Sequence, residues 1–319
     1  MRAMVIRSFG GPEVFQEREL EKPSPGVREV LVRVVASGTN PVEAKIRAAG
    51  HWAQIEPPAV LGYDVSGVVE EVGPGVEDFE PGDEVFYTAE IVGNQLGSYA
   101  EYTVASASIV APKPATLSHL QAAAVPLAGG TAWEGIVRRL QVRPGETVLV
   151  NGGAGGVGHF AVQFARISGA RVLASAGSQN QQTLRELGAE PIDYRERDPF
   201  EAALEATAGA GVDAVLDLVG GDSVPRALPA TRPFGRVGSV LAISGDLSAA
   251  YRRNQAVHGI FLTRERARLE EMTPLLEWGG VEPLIERVLP LQEVAEAHRR
   301  LDSGHGRGKV VLEVASPGG

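Results

Sequence analysis

The segment Val148-Leu149-Val150-Asn151-Gly152-Gly153-Ala154-Gly155-Gly156-Val157-Gly158 has the residue types and spacing best suited to chemistry. A β-branched run stops in glycines and restarts as an apolar helix, which makes a socket for a diphosphate. Gly153, Gly155 and Gly158 stand in the spacing G-x-G-x-x-G. The first suits a tight turn, the second lets a pyrophosphate reach the backbone, and the third lets helix and strand pack closely. Ala154, Gly156 and Val157 complete the loop, and the helix from about Gly156 to Ser168 would point unpaired N–H groups at the phosphates. With 39 glycines in 319 residues the hexamer alone is a weak signal, so its context decides. Glu146–Val150 reads as a buried parallel strand, and Phe160, Ala161, Phe164 and Ala165 form an apolar helical face. The expectation is dinucleotide binding, against a purely structural strand-to-helix turn.

The next strand, Arg171–Ser175, should be followed by an acid that grips the ribose 2′-hydroxyl of NAD, roughly 20 residues beyond the first glycine. Ala174-Ser175-Ala176-Gly177-Ser178 has none. Small residues and the hydroxyls of Ser175 and Ser178 leave room for a 2′-phosphate and can donate to it, so NADP is favoured. No lysine or arginine lies between Ser175 and Leu184 to neutralise that phosphate. Arg195, just after the third strand, is one available source of charge; a solvated surface arginine is the other reading.

The elements that must position these residues fall into two patterns. Residues 1 to about 120 read as short strands broken by turns: Met4–Arg7, Glu29–Ser37, Val65–Val72, Asp83–Phe86, Tyr99–Val104 and Ser108–Ala111, with a short helix over Pro41–Gly50. From about Leu120 helices alternate with apolar strands, at Thr147–Val150, Arg171–Ser175, Pro191–Ile192, Ala214–Asp217, Gly238–Leu241 and His258–Phe261. The fold class expected is α/β, a β-rich barrel-like domain plus a doubly wound parallel sheet. Helices over Arg264–Trp278 and Leu291–Asp302 precede a last strand, Lys309–Val314, which suits the β-rich domain better than an already complete sheet. A short Ser316–Gly319 tail follows.

Composition narrows the chemistry. A length of 319 residues points to two domains sharing a cleft. No apolar stretch is long enough to cross a bilayer, and no cleavage signal opens the chain, so a cytoplasmic protein without membrane insertion is expected. A net charge of −10 argues against non-specific attraction to nucleic acid. The absence of cysteine removes thiolate nucleophiles and every Cys-based zinc site. The six histidines lack compact ligand spacing, so no metal is expected.

Several further segments, in order, carry a resemblance: Ala36–Pro41, Leu61–Val69, Gly82–Val85, Gly97–Tyr102, Ala124–Trp133, Gly152–Gly158 and Gly306–Leu312. Over nearly its full length the chain resembles the quinone oxidoreductase branch of the medium-chain dehydrogenase/reductase superfamily. The resemblance implies a GroES-like substrate domain over 1–120, a Rossmann domain over 121–264 and a return to the first domain over 265–319. It also implies a homodimer formed by sheet extension at the sixth Rossmann strand, near Gln255–Phe261. Zinc alcohol dehydrogenases carry a cysteine where this chain has Asn40, Gly-His-Glu where it has Gly62-Tyr63-Asp64, and a four-cysteine lobe where it runs from Tyr87 to Gly97. Ligands for both metal sites are missing.

Roles follow from the same resemblance. Asn40 is matched to an asparagine near the nicotinamide that donates to the acceptor oxygen; an Asx-type turn before Pro41 is the compatible structural reading. Tyr63 replaces a metal ligand and is expected to face the cleft as a hydroxyl donor, against an ordinary core tyrosine. His51 and Trp52 fall where the family places aromatic residues beside the substrate. Thr131 resembles a residue touching the nicotinamide or ribose side, with helix capping as its alternative. Tyr194 resembles the family tyrosine by the 2′-phosphate or adenine. Val219 and Gly220 after the fourth strand, and Ile243 and Ser244 after the fifth, lie at strand ends where ligands bind in open sheets. The family's basic residue in the second-strand loop is replaced within Ser178–Gln181, so mixed cofactor use stays open. The activity implied is NADPH-dependent reduction of a small-molecule acceptor, a quinone or α,β-unsaturated carbonyl compound, by direct hydride transfer without metal. An enoyl/enal reductase, or a low-turnover NADP(H)-binding redox-sensing or structural protein, is the alternative.

Overall fold

Two short antiparallel strands come first, β1 (Arg2–Ile6) and β2 (Phe15–Glu19). The computed structural model describes residues 1–315, so the Ser316–Gly319 tail lies outside the described residues. β3 (Glu29–Gly38) is almost wholly buried, which is why it reads as a continuous apolar run. It leads through Asn40 into helix α1 (Pro41–Ala49), whose first position tolerates proline because that N–H has no intrahelical partner. After β4 (Ala59–Val60) come β5 (Asp64–Val72) and β6 (Glu84–Thr88), each antiparallel to its predecessor in the sheet. β7 (Tyr102–Ser106) pairs with Glu29–Arg33 of β3, and β8 (Ala111–Pro112) pairs with β6.

Two expectations need correction here. Tyr99 lies before β7 rather than in it, and the strand expected over Ser108–Ala111 is mostly a 3-10 turn. In that turn the Ser106 hydroxyl accepts from the Ser108 N–H, so a local side-chain bond displaces ladder pairing.

Helices α2 (His119–Ala123) and α3 (Pro126–Trp133) lead into the second half. There β9 (Thr147–Asn151), α4 (Gly158–Ile167), β10 (Arg171–Ala176), α5 (Gln181–Glu186), β11 (Glu190–Asp193) and α6 (Pro199–Ala206) alternate. β12 (Val212–Asp217), α7 (Ser223–Ala230), β13 (Thr231–Ser239), α8 (Ser248–Arg252) and β14 (Ala256–Gly259) complete a six-stranded parallel sheet. Its order is β11-β10-β9-β12-β13-β14, the doubly wound arrangement, with its switch point at β9. Both faces are covered: Val148 and Val150 pack into one core, while Leu149 packs into another with Leu173, Val215 and Val237.

The chain then runs through α9 (Arg266–Glu277), β15 (Ile285–Pro290), α10 (Val294–Asp302) and β16 (Lys309–Glu313). β16 pairs antiparallel with Ala36–Gly38 of β3, so the last strand does return to the N-terminal sheet. The architecture is thus mixed α/β, a GroES-like β domain joined to a Rossmann-type sheet. β15 was not expected, because Glu286 and Arg287 interrupt its apolar pattern on the sheet edge.

Candidate active site

β9 ends at Asn151, and the turn falls on Gly152, whose φ of +93° lies in the left-handed region. The tight turn expected at Gly153 is therefore one residue earlier. Gly153 is needed for space instead, since a Cβ there would lie 2.7 Å from the Ala174 Cβ. Gly155 presents an open face: its Cβ would meet only the Gly152 carbonyl oxygen, at 3.5 Å. Gly158 begins α4, and a Cβ there would fall 2.1 Å from that same oxygen. Its constraint is the loop's own backbone rather than helix-on-strand packing. Val157 lies between, half-buried.

A polar network that sequence reasoning missed holds this loop. The Ser175 hydroxyl accepts from the Gly152 N–H at 2.9 Å and donates to Asn151 Oδ1 at 2.7 Å. Asn151 Nδ2 donates to Asp217 Oδ1 at 3.1 Å, and Asp217, fully buried, also accepts from Ser239 Oγ and the N–H groups of Val219 and Gly220. The ends of four adjacent strands are tied beneath the glycines. Ser175 is thus occupied in holding the loop, and its hydroxyl is not free for a 2′-phosphate. The available signal was three polar residues, Asn151, Ser175 and Asp217, each ending an apolar strand.

In front of the loop lies a cleft of about 610 Å³. Ala154, Gly155, Ser175, Tyr194 and Val219 line it, together with residues not singled out from sequence: Gly177, Asn180, Arg226 and the Gly304–Gly306 turn. Arg226 is already paired with Asp198. At Gly177 a Cβ would come within 3.4 Å of the Tyr194 hydroxyl and 3.6 Å of Arg195 Nε, so phenol and guanidinium converge at the end of β10. Ser178 is exposed. Ile243 and Ser244 are not among the residues lining the cleft; β13 stops at Ser239, and Ser244 donates to the Gly221 carbonyl. Gly220, with φ +81°, turns the chain after β12.

Within the N-terminal domain a buried polar cluster ties strands β5, β6 and β16 to helices α1 and α3. Asp64 Oδ1 accepts from Thr88 Oγ1 at 3.0 Å and from the Leu127 N–H at 2.8 Å. Asp64 Oδ2 accepts from Asn40 Nδ2 at 3.0 Å and from the Lys309 ammonium at 3.2 Å. Lys309 also donates to Asn40 Oδ1. Asn40 Nδ2 makes a longer bond, 3.3 Å, to Glu43 Oε1, and its side chain does not cap α1, so the Asx turn expected there is not formed. Burial, reinforced by the Asp64 charge, pushes the Glu43 carboxyl up to about 8, and its Oε2 has no partner.

The remaining expectations shift. Tyr63 is fully buried in the hydrophobic core rather than standing on an open wall; its hydroxyl has no partner, and burial, then the Glu43 charge, raises its pKa. Gly62, at φ +95°, bends the chain just before it, with the Tyr99 ring where a Cβ would be. His51 and Trp52 sit in a 3-10 turn on the surface: Trp52 is 57 % exposed and His51 pairs with Glu56 at 2.6 Å. Neither lines the cleft. Thr131 lies inside α3 rather than at a helix start, and its hydroxyl donates back to the Leu127 carbonyl at 2.7 Å.

Residues 26–115 match the alcohol dehydrogenase GroES-like domain, and residues 187–312 match a family described as zinc-binding dehydrogenase. The residues here do not fit a zinc ion. Among the described residues no three histidine, aspartate or glutamate side chains are grouped to hold a metal, and the one carboxylate in position, Asp64, already takes four donors, one of them an ammonium. The chain is 33% identical to a quinone oxidoreductase of Homo sapiens, covering 98% of this chain and 97% of that protein. It is 34% identical to an NADPH-dependent alkenal/one oxidoreductase, chloroplastic, of Arabidopsis thaliana, over 98% of this chain and 79% of that protein. The solved quinone oxidoreductase of Coxiella burnetii superposes with a TM-score of 0.89 at 33% identity, covering 99% of each chain. With likeness of this extent in both sequence and structure, the chain belongs to the quinone oxidoreductase branch of the medium-chain dehydrogenase/reductase superfamily.

Proposed function

We propose that this protein is an NADPH-dependent reductase of quinones or α,β-unsaturated carbonyl compounds that works without a metal ion. The observation that carries this reading is an open glycine loop joined, through Gly308 and Lys309, to a buried corner in which the Lys309 ammonium holds Asn40 and Asp64. Gly155 and the N-terminus of α4 would hold the diphosphate, and Tyr194 with Arg195 would hold the 2′-phosphate beside Gly177. Bound NADPH would supply a hydride to the electron-poor carbon of the acceptor. Asn40 would give up its long bond to Glu43 and donate to the oxygen on which negative charge develops. Tyr63, a protonated phenol without a partner, is the second donor if the acceptor opens the core to it. His51 and Trp52 are left outside this acceptor site.

The test is NADPH and NADH oxidation measured separately with 1,4-benzoquinone and with an enal. The expected result is turnover, at least about tenfold better in kcat/KM with NADPH, from the missing acid and the Tyr194–Arg195 pair. Cofactor binding without turnover on any acceptor would remove the reductase reading and leave the low-turnover binding protein. A much higher kcat/KM on enals than on quinones would select the alkenal activity, which the Arabidopsis relative's name also favours.

We also propose a homodimer. β14 ends the sheet order with its outer edge unpaired among the described residues, and Phe261 just beyond it is 78 % exposed. Edge-to-edge pairing of two copies would cover both features. Sedimentation equilibrium should give twice the chain mass, and Phe261→Asp should shift the population toward single chains. A wild-type mass of one chain would overturn the proposal.

A further inference from the structure

Gly308 and Lys309 bridge the glycine loop and the buried Asn40–Asp64 cluster. The Gly308 N–H donates to the Ala154 carbonyl in the glycine loop at 2.8 Å. The Lys309 stem lies against the loop too, its Cδ 3.4 Å from where a Cβ on Gly156 would be. From there the buried ammonium reaches Asn40 Oδ1 and Asp64 Oδ2. Asn40 is thereby oriented: an ammonium can only donate, so it fixes the amide oxygen toward itself and leaves the NH2 end toward Asp64 and Glu43. A flipped amide would offer a lone pair where a developing oxyanion needs a hydrogen.

We propose that Lys309 is a positioning residue that couples the seating of the dinucleotide on the glycine loop to the orientation of the Asn40 amide. The proposal rests on the dinucleotide reading of the loop. Displacement of the loop by a diphosphate is carried through Gly308 and the lysine stem, and loss of the ammonium frees the amide to turn. The role is organisational, since the ammonium is enclosed by Asn40 and Asp64.

Removing the lysine alone strands a buried carboxylate, so the informative variant is the charge-neutral pair K309M/D64N, compared with N40A and with the triple variant. Readouts are the thermal midpoint, the Kd for NADPH from nicotinamide fluorescence, and kcat and KM with 1,4-benzoquinone. The pair is expected to fold, to weaken NADPH by about fivefold or more, and to lower kcat by about tenfold with little change in KM. N40A should cost about tenfold in kcat in the wild-type background and less than about twofold in the paired one, because the amide is already disordered there. An unchanged Kd in the pair, or fully additive N40A effects, would overturn the coupling. If the pair does not fold, K309R serves: it keeps the charge but its bulkier, rigid fork cannot hold both the stem packing at Gly156 and the lysine's contact geometry, so NADPH should still weaken, and wild-type affinity would overturn the proposal. Absence of NADPH binding in the wild type would instead remove the dinucleotide reading, a failure distinct from one confined to the variants.

Discussion

Gly158→Ala is expected to weaken NADPH binding by about 100-fold, because a Cβ 2.1 Å from the Gly152 carbonyl oxygen forces the loop apart at a cost of roughly 1–3 kcal/mol. The atom it meets is backbone, so no side chain can rotate away. The thermal midpoint should fall as well, since the Gly152 N–H is part of the network through Ser175 and Asn151. Gly155→Ala separates binding from folding. Its Cβ makes only an ordinary 3.5 Å contact within the protein, so the midpoint should stay near wild type while NADPH affinity falls by about tenfold or more from the methyl in the phosphate path. Titration of both variants by nicotinamide fluorescence, beside thermal melts, makes the check. A Gly155→Ala protein that binds NADPH normally would place the diphosphate elsewhere.

Stability should peak near pH 6.5 and fall on both sides, a shape set by buried groups of opposite sign. Burial lowers His159 to about 4 and His298 to about 3, so between those values and about 6.5 the unfolded chain binds protons that the folded chain refuses. Stability therefore rises with pH there, by about 1.4 kcal/mol per pH unit for each histidine. His119, also lowered chiefly by burial, adds to this limb. Glu43 acts in reverse: its folded carboxyl stays protonated up to about 8 while the unfolded one ionises near 4.5, so stability is lost as pH rises through that window. Above pH 6.5 the histidine contribution is complete and the Glu43 loss shows alone. The acids held below their ordinary values, Glu84, Glu101 and Glu146 among them, act only under more acidic conditions. Glu43→Gln keeps an acceptor for Asn40 and removes the titration. Urea midpoints at pH 5, 6.5 and 8 should show the alkaline decline in wild type and a plateau in the variant. A decline that persists in Glu43→Gln would assign it to another group.

The parts legible in sequence were those written in local pattern. The strand, glycines and helix from Val148 to Phe164 imposed their own geometry, and β3, β5, β9 and β12 read as continuous apolar runs because neighbours cover them. The site was legible as positions more than as roles. Ser175 stands at the cleft as expected, yet its hydroxyl is consumed by Gly152 and Asn151. Tyr63 is sealed in the core, and Trp52 lies on the surface, because which face a residue next to a bend presents depends on long-range packing. Lys309 was read as the start of a strand and as part of the Gly306–Leu312 segment of the resemblance, with no role of its own. Its partners Asn40 and Asp64 are 269 and 245 residues away, a separation no periodicity reports.

The Gly304–Gly306 turn forms one wall of the cleft in front of the glycine loop, although it follows every strand of the parallel sheet in the chain. During synthesis, then, the parallel sheet is complete in the chain before its cleft is, and the pocket is finished only when the segment before β16 has left the ribosome. A fragment cut out after β14 would be an incomplete module, and grafting it onto another protein would leave its cleft open on that side.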